Sequence, residues 1–255
     1  MGCKRFILIF IFLFIIISFS FAWGKTGHHI IVEIAKNYVV KNVQDSVKKY
    51  LGKMSWESAS TWMDETKGNP QSDYMKQWHF IYIKKGKRYN STISEGNNVI
   101  NQLQIAIDNL KKRSKLTKEE INFNLKVLFH LIGDMHQPLH VGYEKRKGKE
   151  IKIIFDGNSM SLHHIWDSDI IKYKKIRYKN IKNLALKISN DSVQKLSDIN
   201  LIEWLNQTRQ FLDVVYDCPY VINADYINKS YEIIEKQLLY AGIRLAVVLN
   251  VIFKN

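Results

Sequence analysis

The chain has 255 residues, of which 46% are hydrophobic and 12% aromatic, enough apolar material for one large core. Its 38 basic residues outnumber the 24 acidic ones, and a formal charge of +14 favours polyanionic partners. Two cysteines, one of them at position 3, and the absence of repeats exclude a disulfide-stapled scaffold and a repeat protein.

The first 22 residues predict a signal peptide. Two basic residues precede an apolar run at 6–19, and small residues occupy positions 20 and 22, which a signal peptidase reads. We therefore predict cleavage after Ala22 and entry into the secretory pathway, ending in secretion or in the lumen of an endomembrane compartment. An uncleaved anchor is the alternative, because residues 6–23 approach the length of a membrane span.

Leader removal would leave Cys218 as the only cysteine, so we predict no intrachain disulfide and a small buried hydrophobic side chain. Four Asn-x-Ser/Thr sequons are compatible with a secreted glycoprotein, although so asparagine-rich a chain contains about that many by chance. They begin at Asn90, Asn190, Asn206 and Asn228.

Residues 23–255 predict one mainly helical domain with minor β structure. After a flexible lead-in at 23–28, the predicted helices begin near His28 and cover 43–50, 56–64, 98–112, the stretch opened by a Thr117–Glu120 capping box, and 226–253. Residues 78–83 predict an extended segment. Residues 149–155 predict one arm of a hairpin with its turn at 156–158.

The stretch from Phe129 to His140 predicts the middle of a metal site. His130 and Asp134 are four residues apart, so on a helix they project from one face and can hold one ion or two adjacent ions. Pro138 should end that helix and free His140 to point at a neighbouring ion. The alternative is a buried helix end whose histidines only satisfy backbone groups.

Three further segments supply candidate site residues. His163 and Asp167 repeat the four-residue spacing, which is weak evidence on its own. Asp64 and Lys67 would share a helix face, a carboxylate for metal beside an ammonium for phosphate, with a solvated ion pair as the alternative. His79 is a candidate ligand only if folding brings it to the other residues.

Basic residues are densest at 145–149 and 172–179, on either side of the His163–Asp167 pair. This placement favours a nucleic-acid substrate, although background composition explains part of the charge.

Five motifs occur in order along the chain. They are Trp-Gly-x3-His at 23–28, Trp-x-Asp at 62–64, His-Phe-Ile at 79–81, His-x3-Asp-x-His-Gln-Pro-x-His at 130–140 and Leu-His-x2-Trp-Asp at 162–167. With them the chain resembles the secreted, zinc-dependent, single-strand-specific nucleases of the S-one/P-one type, over nearly all of residues 23–255. The resemblance implies a mainly α single domain with a small β-hairpin, a fold shared with zinc phospholipase C.

The resemblance also implies three zinc ions. One would be held by Asp64, His79, His130 and Asp134, a second by His140, His163 and Asp167, and a third by His28, Asp134 and the free α-amine and carbonyl of Trp23. Asp134 would then bridge two ions. His29, His136 and His164 match no ligand position, and we predict structural roles for them.

For the substrate, the resemblance implies that Lys67 contacts the phosphate and Phe80 stacks on a base. Asp64, Lys67 and Asp134 are the expected catalytic residues. Tyr82 stands in the base site where relatives commonly have an aspartate, and Ser161 replaces a usual asparagine, so no base preference is predicted.

The implied function is an endonuclease that cuts single-stranded DNA and RNA to 5′-phosphorylated products, with 3′-nucleotides as a further candidate substrate. We expect a monomer without a stable protein partner. A zinc phospholipase C is disfavoured because the last ligand pair there is typically His-x3-Glu, whereas this chain has His163 and Asp167. A secreted protein with structural zinc is disfavoured because one cluster has only three protein donors.

Overall fold

The computed structural model describes residues 23–89, 96–145, 147–185 and 198–254. The predicted signal peptide and its cleavage position lie outside the described residues and stay predictions. The sequons at Asn90 and Asn190 also lie outside them.

The described residues form eleven helices, one β-hairpin and several single turns. The helices are α1 Lys25–Tyr38, α2 Lys41–Leu51, α3 Trp56–Glu65, α4 Val99–Lys111, α5 Lys118–Met135, α6 Leu162–His164, α7 Ile170–Tyr173, α8 Tyr178–Ala185, α9 Leu201–Arg209, α10 Leu212–Tyr216 and α11 Ala224–Phe253. Strands β1 Lys152–Phe155 and β2 Asn158–Ser161 pair antiparallel. The predicted fold class, mainly helical with a small hairpin, is confirmed.

Helix α11 is the central element of the core. Its 30 residues are long and apolar enough to cross a membrane, but 72% of the most apolar window is buried inside the protein, as in a core helix. It packs most widely on α1 and also contacts α5, α2 and α4. Gly242 permits the crossing with α1, because a Cβ there would lie 2.5 Å from the Ile34 side chain.

Helix α5 carries the predicted metal-binding motif and begins with the predicted capping box. The Thr117 hydroxyl accepts from the Glu120 backbone N–H, and the Glu120 carboxylate accepts from the Thr117 N–H at 2.7 Å. The predicted break before His140 is confirmed, although α5 already ends at Met135, three residues before Pro138. Tighter backbone bonds close its last turn, and Pro138 instead opens a 3₁₀ turn that contains His140.

Two other local predictions are corrected. The lead-in at 23–28 is not flexible: Trp23 is fully buried against Gly27, and α1 already begins at Lys25. The hairpin arm begins at Lys152 rather than at 149, because Gly148–Glu150 forms a 3₁₀ turn. The hairpin turn contains only two residues, Asp156 and Gly157, both at positive φ, as a type I′ turn requires.

The segment predicted as extended at 78–83 is extended only from Phe80, because residues 76–79 form a turn, and the extended part pairs with the chain beyond α5. The Ile81 N–H donates to the His140 carbonyl at 2.8 Å, and the Ile83 N–H donates to the Gly142 carbonyl at 3.1 Å. Residues 79 and 140 therefore lie side by side.

The two remaining sequons differ in exposure. Asn206 is 6% exposed, and its side-chain amide exchanges hydrogen bonds with the backbone of Tyr89, so the folded chain leaves no room for a glycan there. Asn228 is exposed. Cys218 is only partly buried against the core, less than the sequence predicted.

We expect Gly242→Ala to lower the free energy of unfolding by about 1–3 kcal/mol, because the added methyl group overpacks the α1–α11 crossing. Urea denaturation measures the change. Val251→Ala is the control, since Val251 lies on the same helix with 54% of its surface exposed. Equal destabilisation by both substitutions would contradict this account of the crossing.

Candidate metal centre

Eight predicted ligand side chains, all buried, converge from six segments of the chain. They form three adjoining clusters: His28, His130 and Asp134; Asp64, His79 and His130; and His140, His163 and Asp167. Within each cluster the candidate ligand atoms lie within 4.8 Å of one another. The fold thus brings together the residues that the sequence singled out, while metal coordination itself stays a prediction.

The Asp134 carboxylate lies between two of these clusters. Its Oδ2 is 2.9 Å from Nδ1 of His79 and 3.3 Å from Nε2 of His130. Its Oδ1 is 3.4 Å from Nε2 of His28. One carboxylate therefore presents its two oxygens to different groups of imidazoles, the arrangement that a bridging ligand needs.

Backbone carbonyls orient two of the imidazole rings. Nδ1 of His130 donates to the Ser60 carbonyl at 2.7 Å, and Nδ1 of His140 donates to the His79 carbonyl at 2.7 Å. With Nδ1 bound to the backbone, Nε2 is the nitrogen that could bind a metal once each ring is deprotonated. The alternative prediction was that these histidines only satisfy backbone groups. It accounts for one nitrogen of each ring and leaves the other unexplained.

Several buried polar atoms in the clusters have no hydrogen-bond partner among the described residues. They are both ring nitrogens of His28, Oδ1 of Asp134 and Nε2 of His140. An unsatisfied buried polar group costs about 1–3 kcal/mol, so these atoms fit a ligand that accepts their lone pairs. Imidazole nitrogens and carboxylate oxygens are donors that zinc prefers.

The surroundings of most of these groups hold them in the protonation state that a metal needs. Desolvation lowers the pKa of His28 and His79, and it lowers the pKa of His163 to about 3, so these rings are neutral near pH 7. Burial would raise the pKa of Asp134, but the His130 charge and the histidine hydrogen bonds outweigh it and hold that pKa well below its usual range. Asp134 is therefore ionised.

The pKa values of two other groups shift away from the deprotonated form that a metal needs. Burial opposes protonation of His130, but the Asp134 and Asp64 carboxylates outweigh it and raise its pKa. Burial raises the pKa of Asp167 well above its usual range. A bound cation would favour the deprotonated form of both groups.

The third cluster is shaped by a π-helical turn at Ile165–Asp169, which the sequence did not predict. Nδ1 of His163 lies 2.6 Å from Oδ2 of Asp167. The Gln137 amide donates to Oδ1 of the same carboxylate at 2.5 Å and accepts from the Leu139 N–H. Sequence reasoning missed Gln137 as a positioning residue, although its place between His136 and Pro138 in the longest motif was the available signal.

His136 belongs to none of the three clusters. Its Nδ1 donates to the Ile132 carbonyl at 2.7 Å, and its Nε2 accepts from Arg244 of α11 at 2.8 Å. Gln237 of α11 donates to the His136 carbonyl. This histidine ties the end of α5 to the core helix, which agrees with the predicted structural role.

Lys67 lies beside the metal clusters, although not on α3 as predicted. The helix ends at Glu65, and a turn closed by the Lys67 N–H and the Asp64 carbonyl brings the Lys67 ammonium against the Asp64 carboxylate. The Lys67 side chain keeps 20% exposure. The predicted pairing of a carboxylate with an ammonium is therefore present.

An aromatic and basic rim lies next to the clusters. The half-buried rings of Phe80 and Tyr82 lie with centroids 5.2 Å apart and planes 30° apart. The ammonium groups of Lys149 and Lys147 lie 5.9 Å and 5.3 Å from these two ring centroids. Burial raises the pKa of Tyr82, so its hydroxyl remains a hydrogen-bond donor. The sequence indicated the charge of these lysines but not their place over the rings.

Three buried His/Asp clusters in a helical fold, opening beside lysines and aromatic rings, are typical of a metal-dependent hydrolase of phosphate esters. Residues 23–254 match the S1/P1 Nuclease family, and the chain belongs to that family. It is therefore a nuclease, a hydrolase of phosphodiester bonds, from a family that depends on metal.

Several proteins that are similar to this chain in sequence are named as nucleases. Endonuclease 4 of Arabidopsis thaliana is 29% identical, over 91% of this chain and 90% of that protein. Nuclease S1 of Aspergillus oryzae is 26% identical, over 90% of this chain and 91% of that protein. Nuclease P1 of Penicillium citrinum is 30% identical over 57% of each chain.

Among solved structures, the alpha toxin from Clostridium absonum is similar with a TM-score of 0.50 and 16% identity. The alignment covers 90% of this chain and 66% of the toxin. At this identity the likeness concerns the helical fold alone.

Gly133 lets the His28 ring lie against α5, because a Cβ at this glycine would be 2.8 Å from that ring. We expect Gly133→Ala to push His28 away from Asp134 and to lower the metal content by one ion while every ligand residue is retained. Elemental analysis of the purified protein measures this. Lys118→Ala, in the exposed first turn of α5, should keep all metal. Full metal content in Gly133→Ala would exclude His28 as a ligand.

Proposed function

We propose that this nuclease uses a trinuclear zinc site to cut single-stranded DNA and RNA to 5′-phosphorylated products, with 3′-nucleotides as a further candidate substrate. The observation that carries the proposal is the Asp134 carboxylate, whose two oxygens face different histidine clusters. We also propose that the chain acts after passage through the secretory pathway.

The proposed ligand sets use the residues of the three clusters, with Asp134 shared between two ions, His130 assigned to one ion and the N-terminus at Trp23 added. Asp64, His79, His130 and Asp134 hold one ion, His140, His163 and Asp167 a second, and His28, Asp134 and the N-terminus at Trp23 a third. Bound zinc supplies an activated water and neutralises charge on the phosphate oxygens. The unpartnered nitrogens of His28 and His140 support this assignment.

The chain itself positions the substrate. The Lys67 ammonium, held beside Asp64, contacts a phosphate oxygen of the bound strand, and the Phe80 ring stacks on one base. A base can lie on this half-buried ring only after it has left a duplex stack, which favours unpaired strands. Gln137 fixes the orientation of Asp167 through a hydrogen bond, and Tyr82 offers a donor to the base where relatives have an acceptor.

The competing function is hydrolysis of phospholipids by the same metals. The rim formed by Phe80, Tyr82, Lys147 and Lys149 favours nucleic acid, because aromatic faces and ammonium groups match bases and phosphates.

The decisive assay gives the chain that begins at Trp23 single-stranded DNA, RNA, duplex DNA and phosphatidylcholine, with and without a chelator. We expect rapid cleavage of the single strands, slow cleavage of the duplex and no lipid hydrolysis. Chelation should abolish cleavage, and added zinc should restore it. Asp134→Asn should be inactive and lose more than one ion. Lipid hydrolysis, or activity in metal-free protein, would overturn the proposal.

We expect Phe80→Ala to weaken the binding of short oligonucleotides by about 1–3 kcal/mol, because one base loses its stacking partner. The effect should appear in KM. Tyr38→Ala is the control, since Tyr38 is a partly exposed aromatic residue ten positions beyond His28 on α1, about 15 Å along the helix axis. An unchanged KM for Phe80→Ala would remove this ring from the base site.

The proposed role of Trp23 predicts that activity requires leader removal. Trp23 is buried, and the adjacent Gly24 N–H donates to the Asp167 carbonyl at 2.8 Å, which fixes the backbone beside the clusters. A free α-amine, with an ordinary pKa near 8, can lose its proton to bind zinc, whereas the amide of a precursor is a very poor ligand.

A fusion released to begin with either Trp23 or an extra glycine before it tests this role. We expect the extended form to contain one zinc fewer and to lose most of its activity on single-stranded DNA. Equal zinc content and activity in the two forms would leave at most a two-metal site.

A further inference from the structure

A basic groove of about 650 Å³ lies between α1 and the segment that follows α7. One wall contains Thr26, His29 and Glu33, which share a face of α1. The other wall contains Lys172, Lys175, Arg177 and Lys179. We call this feature the α1–α7 groove.

The charge of the α1–α7 groove is strongly positive. Four basic side chains line it against one acid, Glu33. Lys172 lies 3.8 Å from the Asp169 carboxylate, whereas Lys175, Arg177 and Lys179 are exposed and have no carboxylate within 4.0 Å among the described residues. Some lysines elsewhere on the surface are paired, such as Lys41 with Asp45 at 2.6 Å. The groove therefore offers unneutralised cations to an anionic ligand.

The backbone at Lys175 is unusual for a lysine. Its φ is +52°, in the left-handed region that favours glycine. The N–H groups of Lys175 and Ile176 close α7 on the Lys172 and Ile171 carbonyls, a Schellman ending that normally has glycine at this position. Helix α2 does end with a glycine, Gly52, at φ +65°. A strained lysine on the groove wall is consistent with a role for its charge.

Both walls of the α1–α7 groove are formed by segments of the chain that also contain cluster residues. On α1, His29 follows the cluster residue His28. On the other side, Lys172 lies five residues after Asp167 in one helical stretch, about 7.5 Å along its axis. The groove and the metal centre therefore lie on the same two segments of the fold.

We propose that the α1–α7 groove binds the phosphodiester backbone of the substrate strand outside the cleavage site. This inference rests on the proposed single-strand nuclease function. The groove adds affinity for long strands and none for substrates too short to leave the metal centre. Its concave shape and its position on the segments that contain His28 and Asp167 favour a nucleic-acid strand over a membrane surface.

The test compares two triple variants that remove the same charge. The groove variant carries Lys175→Gln, Arg177→Gln and Lys179→Gln. The control carries Lys48→Gln, Lys49→Gln and Lys53→Gln on the exposed side of α2 and its end. Cleavage of a dinucleotide and of a strand of about 30 nucleotides, longer than the ~16 that one binding fold covers, is measured over a range of salt concentrations.

We expect the groove variant to cleave the dinucleotide like the unmodified protein but to show a higher KM for the long strand. For the long strand, the slope of log kcat/KM against log salt should fall by about 2, since each phosphate contact with a single strand contributes roughly 0.7. The control should resemble the unmodified protein. Unchanged long-strand kinetics, or equal effects in both variants, would overturn the proposal.

Two further measurements separate this proposal from other outcomes. If the unmodified protein cleaves nothing, the proposed function fails, and fluorescence anisotropy of the intact long strand still decides whether the groove variant binds it less tightly. Binding to vesicles that contain phosphatidylserine tests whether the groove binds a membrane surface instead. Loss of vesicle binding with unchanged strand binding would assign the groove to a membrane surface and overturn the proposal.

Lys175→Gly removes the charge and relieves the backbone strain together. We expect a melting temperature at or above that of the unmodified protein, with a higher KM for the long strand. A more stable protein with unchanged long-strand KM would show that this lysine has no part in binding.

Discussion

The site depends on one buried ionised carboxylate, that of Asp134. A charge taken out of water is tolerated only where other groups stabilise it, and here imidazoles from three segments surround it. These histidines must be brought in by α1, by the extended segment before α4 and by α5 itself. The packing of α1 and α5 on the core helix therefore serves to hold these rings around a single anion.

The same helices form both the core and the site. His136 lies two residues after Asp134 and joins α5 to Arg244 in α11, while Gly133 and Gly242 permit the close approaches that place His28 and α1. Displacing any of these contacts by a fraction of an ångström would move one of the proposed metal ligands. Core packing and metal affinity would then be coupled in this fold.

Much of the fold and of the site could be predicted from sequence, because histidine and aspartate at helical spacing indicate both a helix and metal-binding chemistry. The capping box at Thr117 predicted where α5 begins. The four-residue spacing of His130 and Asp134 predicted that both lie on one face of this helix. Other features depend on tertiary context. The π turn before α7 has no local signal, and the hydrogen bond from Gln137 to Asp167 joins two segments that only the folded chain brings together. Lys67 reaches Asp64 through a turn, although spacing alone suggested a helix.

The unpartnered ring nitrogens of His28 and His140 have a consequence for the stability and degradation of the protein rather than for its chemistry. A metal-free chain leaves these buried atoms unsatisfied, so each bound ion would stabilise the folded state by mass action as well as activate it. Scarce metal would then raise the unfolded fraction, which proteases remove. Under such conditions the amount of this nuclease would fall together with its activity, and metal supply would set its abundance.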